Sequence, residues 1–257
     1  KPYIHPLATT DGSVLTWNRP ADHVWHRALW FSWKMINGLN YWEENRQGLS
    51  QGRTEIKNIK ATLNKDSSAK FEIILSYHPP KKPEILAEKR TILFSAPAKD
   101  GRYKIDWTSV FTATGADAVL DRTPIKGEKG GKGWGGYAGL SIRMAKETRG
   151  WNIIDSKGRK DMKIHGQPGA VWVDASGKTT SGKEAGVAIF DHPSNTRHPS
   201  PWYIAKGMPY FSPALLYNKP LTLKKSASMT LKYRIVVHPG MGSAKMLDEE
   251  FKTFSKN

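Results

Sequence analysis

Two short stretches concentrate the side chains able to do chemistry. The first is Asp191-His192-Pro193-Ser194-Asn195-Thr196-Arg197-His198-Pro199-Ser200-Pro201-Trp202, with two imidazoles, a carboxylate, an amide, a guanidinium and an indole in twelve residues. The second is Arg19-Pro20-Ala21-Asp22-His23-Val24-Trp25-His26-Arg27. Imidazole titrates near neutral pH, and a neighbouring carboxylate can set its tautomer. Asp22 precedes His23 and Asp191 precedes His192, so each stretch offers a candidate acid or base, and His5 could join them. His23 and His26 are three apart, a spacing that could also hold a metal. In an extended segment, however, they would face opposite ways, and no third ligand follows from spacing. No metal and no cofactor is therefore assigned. The plainer alternative for the first stretch is a surface loop with scattered polar residues.

Further polar groups fall on expected strands. Along Ile85–Ser95, Leu86, Glu88, Arg90, Ile92 and Phe94 share one face, so two opposite charges sit among large apolar residues. Either Glu88 and Arg90 form a structural ion pair, or the face turns polar where it lines a cleft. Along Tyr137–Met144, Ala138, Leu140, Ile142 and Met144 form an apolar face, with Tyr137, Gly139, Ser141 and Arg143 opposite. Gly139 leaves room for something to approach the sheet.

The elements that must position these groups read as strands. Ala28–Trp33 is a buried strand, and Asn37-Gly38 is a tight turn before Tyr41-Trp42-Glu43-Glu44. From Arg53 onward the apolar pattern has period two, with turn residues every eight to twelve positions. It covers Thr54–Leu63, then Phe71, Ile73, Leu75 and Tyr77, then Ile85–Ser95 after the His78-Pro79-Pro80 turn. After a hairpin signal at Lys99-Asp100-Gly101, Tyr103, Ile105, Trp107 and Phe111 alternate. Ala170–Asp174, Ala185–Phe190, Pro209–Leu216 and Met229–His238 complete the set. Only the tail reads as helix, with Ser243 as N-cap and a stripe of Leu247, Phe251 and Phe254. Many short strands without interleaved helices imply an all-β fold, a large antiparallel β-sandwich with a short C-terminal helix, in one domain spanning 1–257. Lys126–Gly136, rich in glycine around Trp134, reads as a mobile loop over one sheet edge. Its spacing does not match a phosphate-binding loop.

Composition narrows the partners. The chain has 257 residues, a formal net charge of +17, ten Trp, nine Tyr and no Cys. Without cysteine there are no disulfides and no thiolate metal sites. No apolar run is long enough to span a bilayer. The charge fits nucleic acid, an anionic surface or an acidic polysaccharide. The lysines are dispersed, however, and no nucleic-acid motif accompanies them, so charge alone speaks for that partner. Aromatic rings stack on sugar faces, which favours a carbohydrate substrate, acidic if the charge is read with it.

The residues also carry a resemblance. Pro2-Tyr3-Ile4-His5-Pro6-Leu7 and Arg19 through Phe31 resemble the opening of a bacterial domain family of unknown function that is often labelled methane-oxygenase-like. The resemblance extends to Glu88-Lys89-Arg90-Thr91, to Tyr137–Arg143, and to Asp191-His192-Pro193 with Asn195, His198-Pro199 and Trp202. It implies a secreted or periplasmic protein of a polysaccharide-degrading bacterium. The strand pattern is similar to galactose-mutarotase-like sandwiches, the fold of many sugar epimerases and polysaccharide lyases. Membrane methane oxygenases span the bilayer and hold copper, and this chain offers neither a span nor a copper site.

The leading expectation is a carbohydrate-active enzyme, a glycoside hydrolase or polysaccharide lyase, whose cleft is formed by both His clusters. His23, His26, Glu88, Tyr137, Asp191 and His192 are the expected catalytic groups. His5, Asp22, Arg27, Arg90, Arg143, Asn195, His198 and Trp202 are expected to bind substrate. A glycosidase would draw two carboxylates from Asp22, Glu88 and Asp191. A lyase would use His or Tyr as base, with Arg stabilising the anion. A non-catalytic glycan-binding module is one alternative. A metal-dependent oxidoreductase is another, with ligands drawn from His5, His23, His26, His192 and His198.

Overall fold

In a computed structural model describing residues 1–256, the chain forms seventeen strands. They are β1 Tyr3–Ile4, β2 Leu29–Ser32, β3 Met35–Ile36, β4 Leu39–Asn40, β5 Arg53–Leu63 and β6 Ala69–His78. There follow β7 Leu86–Phe94, β8 Tyr103–Ala113, β9 Ala118–Asp121, β10 Gly139–Arg143, β11 Asn152–Asp155 and β12 Trp172–Lys178. The last are β13 Glu184–Asp191, β14 Trp202–Ala205, β15 Tyr210–Pro213, β16 Leu221–Leu223 and β17 Ser228–Pro239, before the helix α1 Ala244–Phe254. Asn257, the final residue of the expected domain, lies outside the described residues.

The strands form an eight-stranded sheet (β11-β12-β13-β17-β8-β7-β6-β5), a five-stranded sheet (β1-β2-β10-β15-β14) and a four-stranded one (β16-β9-β3-β4). Pairing within all three is antiparallel, as the all-β pattern implied. Alternation decides what each face does. Ile73, Leu75, Ile105, Trp107, Val187 and Ile235 of the large sheet meet Leu29, Phe31, Leu140, Ile142, Trp202 and Phe211 of the five-stranded sheet in one core. At roughly 1.5–3 kcal/mol per buried large side chain, this layer is the main stabilising term.

Residues on the far faces pack separately. Ala188, Phe190 and Val236 bury their outer face under α1 through Leu247 and Phe254. Ser243 caps that helix, its hydroxyl accepting from Met246 N at 3.3 Å. On the far face of the five-stranded sheet, Trp30, Trp42, Tyr203, Tyr210 and Ala214 form a third cluster. The Asn37-Gly38 turn joins β3 to β4 with positive φ at both residues (48° and 80°), the geometry a tight hairpin needs. Among the described residues no helix is long and apolar enough to cross a membrane.

The Lys126–Gly136 loop differs from the mobile segment expected. Lys132 N bonds Pro124 O (2.9 Å), Gly136 N bonds Thr123 O (2.9 Å), and Arg122 grips Glu128 at 2.6 and 2.8 Å. Its glycines are there for close packing as well as flexibility. A Cβ on Gly135 would lie 2.1 Å from Pro124 O.

Candidate functional site

The outward face of the five-stranded sheet carries a pocket of about 590 Å³. Its position follows from strand alternation. On β2, β10, β14 and β15 every second residue turns into the core, leaving Trp30, Ser141, Arg143, Tyr203 and Tyr210 on the opposite side. Trp25, Trp42, Trp134, Tyr137, Tyr203, Met208 and Tyr210 line the pocket, and His23, His26 and Glu43 are its ionisable groups besides the tyrosines. Apolar walls with a few fixed polar groups are what small-molecule sites commonly present. A wider hollow of about 740 Å³ beside Asp11, Trp17 and Lys146 opens to solvent and contains none of the expected site residues.

Glu43 is positioned by the chain just after the β3–β4 hairpin. Asn40 Oδ1 accepts from Trp42 N (2.8 Å) and Glu43 N (3.1 Å), which turns the carboxylate toward β10. There it accepts from the Tyr137 hydroxyl at 2.8 Å, and it also meets Lys34 Nζ and Asn40 Nδ2. Burial pushes the Glu43 carboxyl up, but the Lys34 charge and these hydrogen bonds outweigh it and hold the group below its usual range. Burial, and then the Glu43 charge, push the Tyr137 phenol well above its ordinary value.

His23 and His26 sit together, contrary to the opposed arrangement expected of an extended segment. His23 N bonds Pro20 O (3.0 Å) and His26 N bonds His23 O (2.9 Å), so two successive turns stack the rings. Their centroids are 4.7 Å apart. His26 is 4% exposed, with Tyr210 5.3 Å away on its other side and Trp30 at 5.2 Å. Burial, reinforced by the charges of His23 and Arg143, drives the His26 pKa down to about 2. His26 is thus a neutral floor. His23 is partly exposed, and its Nδ1 lies 3.2 Å from Asp22 Oδ2. Asp22 accepts twice from Arg143 Nη2, at 2.9 and 2.7 Å. Burial raises the Asp22 carboxyl, yet the Arg143 bonds and charge leave it below its usual range. The Arg143 guanidinium itself is buried over the Trp17 ring at 5.5 Å. Both carboxylates at the site are therefore matched by a cation.

Of the expected residues, then, His23, His26 and Tyr137 line the pocket, and Asp22 and Arg143 adjoin it. The others lie elsewhere. His5 is exposed, its Nδ1 3.1 Å from the Thr16 hydroxyl. Arg27 pairs with Glu44 and stacks over Tyr3. Glu88 and Arg90 are fully buried inside the sandwich, on the inner face of β7. Two guanidinium bonds (2.7 and 2.9 Å), the Tyr77 hydroxyl (2.5 Å) and the Ser109 hydroxyl (2.6 Å) all converge on Glu88. The structural ion pair is the correct alternative there, since that face packs into the core of the sandwich.

The expected convergence of the two His clusters is also corrected. Asp191 is buried at the end of β13, where it accepts from Asn195 Nδ2 (2.7 Å) and Ser200 N (2.8 Å) and lies 3.3 Å from His198 Nδ1. His192 packs edge-on against Phe254 of α1 at 4.9 Å, and His198 stacks on Phe251. Both rings belong beside the helix that covers the large sheet, whereas His23 and His26 lie on the outward face of the other sheet. Trp202 is core, its Nε1 donating to Ala170 O at 3.0 Å. The three convergent ligands that a metal centre would need do not come together among the described residues.

Glu43, Trp25, Trp42, Trp134, Tyr203, Met208 and Tyr210 escaped the sequence reading. A usable signal existed for Glu43, since a charged residue next to Tyr41-Trp42 after a tight turn is held near an apolar face. The strand aromatics carry no mark that separates pocket wall from core.

The chain matches a family of unknown function, DUF6807, over residues 1–252, and it belongs to that family. That family's description carries no methane-oxygenase label. No curated protein matches. Among solved structures, one titled "Putative kojibiose phosphorylase from human microbiome" shares 11% identity at a TM-score of 0.34. The match covers 80% of this chain and 25% of that one, so the chain spans about a quarter of that protein's length.

Proposed function

We propose that the pocket binds a neutral sugar ring and that the protein breaks a glycosidic bond held there. The observation that carries this reading is the pocket itself. Six aromatic residues surround two fixed polar groups of different kinds, the Glu43 carboxylate and the His23 imidazole. Ring faces suit the C–H faces of a sugar, and the polar groups suit its hydroxyls. The permanently charged cations beside the pocket are already paired, Lys34 with Glu43 and Arg143 with Asp22, which suits a neutral sugar.

In this reading His23 is the general acid and Asp22, at 3.2 Å, orients its ring. The imidazolium proton passes to the leaving oxygen as the C–O bond breaks and its electron pair stays with that oxygen. Positive charge on the anomeric carbon is stabilised by Glu43, kept ionised by Lys34, Asn40 and Tyr137. Water then adds its oxygen to that carbon, and its proton returns to His23. The experiment is a reducing-end assay over a panel of neutral oligosaccharides, with calorimetric binding alongside. New reducing ends from wild type, absent in His23→Ala, support hydrolysis. Elimination would instead give absorbance at ultraviolet wavelengths and would need an acidic sugar.

A glycan-binding module without catalysis is a second reading, and one observation favours it. Glu43 already accepts three hydrogen bonds and Asp22 two, so both carboxylates are occupied. Binding without turnover for any sugar tested would select it.

A further inference from the structure

Trp134 stands apart from the other large side chains of the pocket. It is 53% exposed, yet it lines the wall. An exposed indole on a free loop would need no explanation, but the backbone that carries this one is fixed. The Tyr203 hydroxyl donates to its carbonyl at 3.2 Å. Directly after it, Gly135 N bonds Lys132 O (3.0 Å), closing a turn around Trp134, and Gly136 N bonds Thr123 O (2.9 Å). Gly136 has φ +100°, and a Cβ there would lie 2.6 Å from the Tyr217 ring, so the backbone beside Trp134 is packed in a conformation that glycine alone adopts cheaply. The fold thus holds a large apolar face in water at a cost that grows with the area left exposed.

The ring also continues a path. From the rim inward, Trp134 lies 6.4 Å from Tyr137, Tyr137 4.9 Å from Trp42, and Trp42 5.4 Å from Trp30, centroid to centroid. Trp42 and Tyr137 wall the pocket, whereas Trp134 rises beyond it into solvent. A pocket of about 590 Å³ already exceeds what a single pyranose ring fills. A ligand confined to the floor would leave the outer indole bare, and a chain of sugars would cover it.

We propose that Trp134 is the platform of a second sugar subsite at the rim, so that the ligand is a neutral oligosaccharide of two or more units rather than a monosaccharide. This rests on reading the pocket as a sugar site. The next unit of the chain stacks on the outer face of Trp134 while the terminal ring occupies the pocket beside Tyr137.

Calorimetry with mono-, di- and trisaccharides of the gluco, xylo, manno and galacto series is the experiment, using wild type, Trp134→Ala and Trp134→Phe. Wild type should bind the di- or trisaccharide of one series about tenfold or more tighter than its monosaccharide. Trp134→Ala should lose most of that gain, weakening the longer ligand at least several-fold more than the monosaccharide, and Trp134→Phe should keep most of the gain. Equal weakening of short and long ligands in Trp134→Ala would overturn the subsite, as would no change at all. Binding by wild type without length dependence would overturn the subsite alone. No binding of any sugar by wild type would overturn both the subsite and the sugar pocket.

Discussion

His23 and His26 lie face to face, their ring centroids 4.7 Å apart and their planes inclined by 27°. The inner ring is closed in by Tyr210 and Trp30, and it stays neutral because burial makes its charged form costly. The outer ring faces the pocket and has a carboxylate beside it. One imidazole thus serves as apolar support for the other, a division of labour made chiefly by burial.

That arrangement has a pH signature. The folded pKa of His26, about 2, lies below its unfolded value of 6.5. Above pH 6.5 both states are neutral and nothing is lost. As pH falls, the unfolded chain takes a proton that the folded one refuses, and stability drops by about 1.4 kcal/mol per pH unit. Between pH 6.5 and 5 the loss is roughly 2 kcal/mol, and His26→Phe should abolish that part of the acid sensitivity in urea unfolding. Identical pH slopes for the variant and wild type would show that His26 accepts a proton in the folded state.

A second histidine should behave in the opposite sense. His238 Nε2, near the end of β17, lies 2.9 Å from Asp174 Oδ1 of β12, and both side chains are fully buried. Burial lowers its pKa, but the Asp174 hydrogen bond and charge outweigh that and raise it. Its stabilisation is therefore complete below the unfolded value of 6.5 and fades as pH rises through the raised folded value. His238→Ala leaves Asp174 buried without its partner, and should cost about 3–5 kcal/mol in denaturant unfolding near pH 6. A cost under about 1 kcal/mol would mean that solvent reaches Asp174.

Glu88 and Arg90 offer a test of structure against chemistry. Removing either alone, as Glu88→Gln or Arg90→Met, should destabilise the protein by about 3–5 kcal/mol, because the partner is stranded in the core. The double variant Glu88→Leu/Arg90→Met should recover much of that loss. It should also bind sugar like wild type, since neither residue touches the pocket. Loss of ligand binding by a folded double variant would place them in the function after all.

How much of this was legible depends on the range of each interaction. Period-two alternation and turn residues are local signals, so most strands, the Asn37-Gly38 hairpin and the Ser243 cap could be read from sequence. The spacing of two between Glu88 and Arg90 rightly paired them but could not say whether their face met a cleft or a second sheet. The site was harder. Tyr137 reaches Glu43 across 94 positions, and Arg143 reaches Asp22 across 121. The density of polar groups after Asp191 misled because it is satisfied internally, Asn195 bonding both Asp191 and the Lys232 backbone. The turns that stack His23 on His26 follow a proline, and an extended reading hid them.

The most direct measurement compares one residue from each His cluster. Turnover and binding of neutral oligosaccharides would be measured for wild type, His23→Ala, Glu43→Gln and His192→Ala, each confirmed folded by its melting profile. If the pocket on the five-stranded sheet is the site, His23→Ala and Glu43→Gln lose turnover by a factor of about 100 or more, while His192→Ala stays within a fewfold of wild type. Full activity in His23→Ala and Glu43→Gln, with loss in His192→Ala, would contradict that assignment and move the chemistry to the cluster beside the C-terminal helix.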